Sequence, residues 1–157
     1  MHTFYLSIPY EIYDSTDALL ENDARWIKTA KENLWSAYAP YSHFRVSAVA
    51  VTDKGNVVFG TNQENASYPS GLCAERVALF SIGTLYPYEA VKTLAIVAKD
   101  ERGNWADSFP CGACRQVMIE TEKRSGKPLK ILVHTKQEKV FVFHSAKDIL
   151  PFSFDLS

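Results

Sequence analysis

Three cysteines and one glutamate carry the densest chemical signal in the chain. Cys111 and Cys114 stand three apart in Pro110-Cys111-Gly112-Ala113-Cys114, and Cys73 opens the stretch Cys73-Ala74-Glu75-Arg76. C-x-x-C spacing at a helix start lets two thiolates converge on one tetrahedral ion. Cys73, at the start of a second expected helix, is the candidate third ligand. Helix N-termini are partly positive, which favours thiolate over thiol and softens the charge of three sulfurs. There is no fourth cysteine, and none of His2, His43, His134 and His144 lies within either segment. Three protein ligands and one open position are the pattern of a catalytic zinc, here one ion per chain. Such a zinc lowers the pKa of bound water to about 7.

Glu75 follows Cys73 by two residues, and positions i and i+2 of a regular helix point in nearly opposite directions. The pattern therefore expects Cys73 in the non-helical cap and Glu75 in the first turn, beside the metal but not on it. A carboxylate there takes a proton from water and hands it to a substrate. Three thiolates outweigh the charge of one Zn²⁺. Arg76, next to Glu75, can hydrogen-bond a thiolate and restore part of the lost positive potential. Pro110 fixes the backbone entering the second pair, and Gly112 leaves space beside it. The plain alternative makes the cysteines packing residues. A thioredoxin-type redox pair would leave Cys73 and Glu75 unexplained.

The surrounding pattern supplies elements to hold these residues. Apolar residues recur at spacings of three and four, or their multiples, over 15–38, which predicts an amphipathic helix with Asp14, Ser15 and Thr16 as possible caps. Val46, Ala48 and Ala50 alternate with their neighbours, giving a strand with one well-buried face. The turn at 53–56 returns it as a hairpin arm over 57–61. A polar, aromatic loop fills 62–72. A helix is expected over 73–81, a strand over 93–98 and a helix over 112–123. Strands at 129–135 and 140–144 and a short helix at 145–150 complete the order α-β-β-α-β-α-β-β-α. The expectation is a three-layer α/β/α fold with a five-stranded mixed sheet covered on both faces. Residues 1–13 read as an N-terminal extension and 14–157 as a single domain.

Composition excludes several classes. The 157 residues, 46% hydrophobic and 22% charged, suit one soluble domain. Seventeen basic and eighteen acidic residues give a net charge of −1. The densest basic stretch (Lys123, Arg124, Lys127, Lys130) has no interleaved aromatics, so a nucleic-acid partner is not indicated. No apolar run approaches the roughly 20 residues that span a bilayer, and residues 1–13 lack a signal-peptide pattern. No membrane partner and a cytoplasmic location are expected. An odd cysteine count argues against a disulfide framework.

At this point the chain resembles the cytidine deaminase family, in its small zinc-dependent nucleoside form. The matching stretches are Pro40-Tyr41-Ser42-His43-Phe44, Asn62-Gln63-Glu64-Asn65-Ala66-Ser67-Tyr68, Cys73-Ala74-Glu75-Arg76 and Pro110-Cys111-Gly112-Ala113-Cys114-Arg115-Gln116. They stand in family order, and the likeness runs from about residue 24 to residue 154. The resemblance implies Cys73, Cys111 and Cys114 as zinc ligands and Glu75 as proton shuttle. It implies Asn62 and Glu64 as ribose contacts, Ala66 as a backbone contact to the base, and Phe44 and Tyr68 as pocket walls. Phe154 corresponds to an aromatic that reaches a neighbouring subunit's site in a homotetramer. Ser47 departs from the family's usual glycine, and residues 1–13 extend beyond the usual start.

The residues support a free nucleoside on their own terms. Asn62 and Glu64, two apart, face one side of an extended backbone. A carboxylate accepts hydrogen bonds from sugar hydroxyls and repels a phosphate. The expected reaction is hydrolytic deamination of cytidine and deoxycytidine to uridine and deoxyuridine with release of ammonia, a pyrimidine-salvage step. Two alternatives stand beside it. One is a related zinc deaminase acting on another amine-bearing base; the other is a zinc-stabilised binding module without catalysis, which requires a fourth protein ligand.

Overall fold

Two strands too apolar to face water on either side organise the molecule. In residues 46–52 every side chain is buried, and in 93–98 likewise, so the sheet they form needs a layer on each face. The computed structural model describes residues 1–156. The chain runs β1 (Glu11–Tyr13), α1 (Glu21–Asn33), β2 (Arg45–Thr52), β3 (Val57–Thr61), α2 (Ala74–Leu85), β4 (Val91–Lys99), α3 (Gly112–Ser125), β5 (Lys130–His134), β6 (Val140–Phe143) and α4 (Ala146–Ile149). The sheet order is β1-β6-β5-β4-β2-β3. Only β4 and β5 are parallel, joined through α3; the other neighbours are antiparallel.

Strand parity divides the core in two. Val46, Ala48, Ala50, Leu94, Ile96, Ile131 and Val133 face α2, α3 and α4. Val49, Val51, Ala95, Val97 and Leu132 face α1 through Trp26, Ile27 and Ala30. The three-layer α/β/α reading is therefore what the structure shows. Two expectations need correction. The sheet has six strands, not five, because Glu11–Tyr13 pairs with β6. The strand over 45–52 is buried on both faces, because α1 covers the second.

The helix expected over 15–38 is three pieces: a 3-10 turn at Thr16–Ala18, α1, and a 3-10 turn at Leu34–Ser36. Leu19 and Leu34 lie outside α1 yet point into its core. Apolar spacing reports which side chains face the core, and here it runs across two changes of backbone. The helix expected over 73–81 continues through Gly83 to Leu85. Gly83 lies inside α2 rather than ending it, and a Cβ there would meet only the movable tip of Arg124, at 2.6 Å. Gly60 on β3 is a true close approach of backbone to the start of α2, where a Cβ would lie 2.4 Å from the Ala78 nitrogen and 2.7 Å from the Ala74 oxygen. The bare glycine seats α2, and with it Cys73 and Glu75, directly on the sheet.

The far end of α3 is pinned by a buried carboxylate. Glu122 accepts from Leu129 N at 2.6 Å, Ala146 N at 2.8 Å and Ser145 Oγ at 3.0 Å, tying α3 to β5 and α4. Among the described residues, three buried side chains have polar atoms without partners. Arg76 Nε is one, and Ser47 Oγ, at the position where the resemblance has glycine, is another. His134 is the third: it ends β5 fully buried, edge-on to Trp105 at 4.9 Å, with neither ring nitrogen bonded.

Burial, with Lys31 nearby, pulls the His134 pKa from 6.5 down to about 4. The folded state keeps the ring neutral while the unfolded chain protonates it near 6.5, so stability is full above that pH and falls as pH drops toward 4. Urea unfolding between pH 7 and 4 is expected to show a loss on the order of 1–3 kcal/mol by pH 4. His134→Leu should flatten the early part of that decline; an unchanged slope would count against the assignment.

Candidate metal centre

Two helix N-termini meet on the α2/α3 side of the sheet. Cys73 is the N-cap residue of α2, with extended backbone at φ −70°, ψ 152°. Cys111 caps α3 in the same way at φ −68°, ψ 167°. A cap residue is half outside its helix, beside the exposed N–H groups of the first turn, and neither cysteine spends its sulfur on bonding them. Cys114 follows one turn into α3 and is fully buried. The Cys73 and Cys111 sulfurs are 4.0 Å apart, those of Cys111 and Cys114 3.5 Å apart, and all three lie within 4.8 Å of one another. A tetrahedral zinc with bonds of about 2.3 Å needs sulfur–sulfur edges of about 3.8 Å. The donor set thus fits zinc in type and spacing. Among the described residues no fourth ligand joins the three, against the requirement of a closed binding module.

Two charged side chains of the first turn of α2 stand close to the sulfurs. Arg76 Nη2 lies 3.8 Å from Cys73 Sγ. A hydrogen bond from Cys114, reinforced by one from Arg76, lowers the Cys73 thiol to about 5. The Cys114 thiol is pushed up, by donating to Cys73 and by burial. Glu75 stands in the first turn of α2 and is only 4% exposed. Desolvation raises its pKa, with the Cys73 charge adding to the rise.

A second cluster forms around the 62–72 loop. Gln63 bridges to Tyr38 and to Leu72, so the backbone between Asn62 and Glu64 is extended and paired. The Asn62 amide accepts from Val46 N at 2.8 Å and donates to the Phe44 carbonyl at 2.8 Å. This fixes Phe44 and leaves the amide one further donor and one acceptor. Glu64 accepts from Tyr41 N at 2.9 Å, from Ser42 N at 3.3 Å and from the Ser42 hydroxyl. Against the desolvation that would raise it, these bonds hold the Glu64 carboxyl below its ordinary value. Tyr41 and Tyr68 meet edge-on at 6.2 Å. Ala66 and Tyr68 are exposed on the same loop, while half-buried Phe44 packs against the core that Cys73 also touches.

Sequence reasoning overlooked four residues. Tyr41 and Ser42 hold Glu64. Arg115 donates from Nε to the Pro110 carbonyl and from Nη1 to the Ile149 carbonyl, both at 2.8 Å. Gln116 binds both backbone groups of Phe154. All four sit inside the quoted motifs, which was the available signal. The Phe154 ring is 69% exposed, and Phe152, at φ 58°, is 98% exposed.

A sheet between two helical layers, with sulfurs gathered at paired helix starts, defines a zinc-binding α/β/α protein. The family follows from comparison with known proteins. A family model described as the cytidine and deoxycytidylate deaminase zinc-binding region matches residues 20–126, and the chain belongs to that family. A cytidine deaminase of Halalkalibacterium halodurans is 45% identical over 94 residues, covering 60% of this chain and 67% of that one. One from Mycobacterium tuberculosis is 43% identical over 84 residues, covering 54% of this chain and 59% of the relative. The crystal structure of cytidine deaminase from Burkholderia pseudomallei superposes with a TM-score of 0.73 at 40% identity, covering 87% of this chain and all of that one. No helix among the described residues is long and apolar enough to cross a membrane.

Arg76→Gln removes the cation nearest the sulfurs. It is expected to weaken zinc binding by about ten- to a hundredfold, read by competition with a chromogenic chelator. Wild-type affinity together with wild-type turnover would remove Arg76 from the site's electrostatics.

Proposed function

We propose that the chain catalyses hydrolytic deamination of cytidine and deoxycytidine to uridine and deoxyuridine, releasing ammonia, with one zinc ion held by Cys73, Cys111 and Cys114. The observation that carries this reading is a buried carboxylic acid, Glu75, placed beside three convergent sulfurs that no fourth side chain completes. The bound metal supplies the Lewis acidity that makes water nucleophilic near neutral pH. Water forms a new bond to C4 of the base, and the bond from C4 to the amine breaks. Glu75 takes the proton that the water gives up and delivers it to N3 as the ring loses aromaticity. It then carries the second proton, from the new hydroxyl on C4, to the departing amine, so that C4 is left as a carbonyl and ammonia departs. Burial suits Glu75 to this task, because a raised carboxyl pKa brings its two protonation states closer in energy near the working pH.

The second cluster selects the substrate. Glu64, ionised and held open by Tyr41 and Ser42, accepts from ribose hydroxyls and repels a phosphate. Asn62 uses its remaining donor and acceptor on the sugar, Ala66 offers its backbone to the base, and Phe44 and Tyr68 wall the pocket. We place the protein in the cytoplasm as a homotetramer, in which Phe154 reaches a neighbouring subunit's site. Support for association comes from exposed apolar side chains such as Trp35, Phe80, Leu85 and Tyr88.

Glu75→Gln is expected to keep one zinc per chain and the wild-type fold. Its kcat, followed by loss of cytidine ultraviolet absorbance, should fall about a hundred- to ten-thousandfold. Undiminished turnover would refute the proton shuttle. Glu64→Gln should raise KM for cytidine about tenfold and narrow the preference for cytidine over its monophosphate. An unaltered preference would take the carboxylate out of substrate selection.

A further inference from the structure

Residues ahead of β1 share aromatic partners on β6 with the loop that leads into Cys111. Tyr10 stacks on Phe141, with ring centroids 5.7 Å apart and planes 15° apart, and lies 6.0 Å from Phe143. Phe109 meets the same two rings edge-on, at 5.2 Å and 88° for Phe141 and 6.5 Å and 77° for Phe143. The two aromatic side chains of β6 are therefore shared between the N-terminal extension and the loop that enters α3. Phe109 is followed at once by Pro110 and Cys111. The proline ring locks its own φ, so the setting of Phe109 is transmitted to Cys111 with little slack. On its other side this loop is held by Arg115, which binds the Pro110 carbonyl. Cys111 is the exposed member of the three cysteines, so burial does less to hold it than it does for Cys114.

The edge itself depends on the extension. Without β1, β6 would be a border strand with one neighbour and a free row of backbone groups. With it, Glu11 and His144 also meet, at 3.1 Å. A terminal strand of three residues is cheap to open locally, so what it stabilises is tunable without unfolding the domain.

We propose that Tyr10 is a positioning residue for the metal site: through Phe141 and Phe143 it sets Phe109, and through Pro110 it sets Cys111. This rests on Cys111 being a zinc ligand. The test uses the full chain loaded with zinc, mixed with excess chromogenic chelator, and follows the rate of zinc release. Tyr10→Ala is expected to release zinc about two- to tenfold faster, the fold-change that loss of one aromatic pair corresponds to. Tyr10→Phe keeps the ring and should release at the wild-type rate. Tyr13→Ala is the control, because Tyr13 lies on β1 but packs into the α1-side core; it should weaken the edge without hastening release. Wild-type release from Tyr10→Ala, or equal acceleration in Tyr10→Ala and Tyr13→Ala, would overturn the proposal. Cys111→Ala tests the underlying assignment separately: retention of zinc there would sink the ligand reading, and the proposal with it.

Discussion

Crowding three ionisable sulfurs into one small volume is the constraint that the rest of the fold answers. Burial and proximity set the thiols against one another: a hydrogen bond from Cys114 lowers Cys73, while donating that bond and burial raise Cys114. Holding all three as thiolates needs positive potential from several directions. Part of it comes from peptide dipoles, because the sulfurs sit at the starts of α2 and α3. Part comes from Arg76. These sources work only if two helices from separate parts of the chain arrive with their N-termini together, and the parallel β4–β5 pair with its α3 crossover is one means of achieving that.

The same arrangement separates two carboxylates by environment. Glu75 lies inside the first turn of α2, deprived of water, and its pKa rises. Glu64 sits on an open loop among three donors, and its pKa falls. One is suited to exchanging protons and the other to staying charged. Neither assignment follows from residue type, since both are glutamate; each follows from what surrounds the group.

Much of this was legible in the residues. Cys73 as a cap residue and Glu75 in the following turn came from the two-residue spacing, because only a break in the helix reconciles that spacing with a shared site. The layered fold came from helices alternating with strands along the chain, while the burial of β2 on both faces became visible only with α1 in place. What escaped notice had little local signal. β1 is three residues long and begins with a glutamate, so alternation could not reveal it; its partner lies well over a hundred residues away in β6. The split of the first helix was hidden because Leu19, on extended backbone, and Leu34, in a 3-10 turn, keep the helical rhythm from outside α1. Arg115 and Ser42 bind loop carbonyls and carboxylates whose positions exist only after folding.

Gly60 acts as a shared fulcrum for two side chains. The helix bearing both a sulfur and the acid rests against a residue with no side chain, at distances that leave no room for even a methyl group. A side chain at 60 has to push the start of α2 away from the sheet, and Cys73 and Glu75 ride on that one turn, so their displacements are geared together rather than independent.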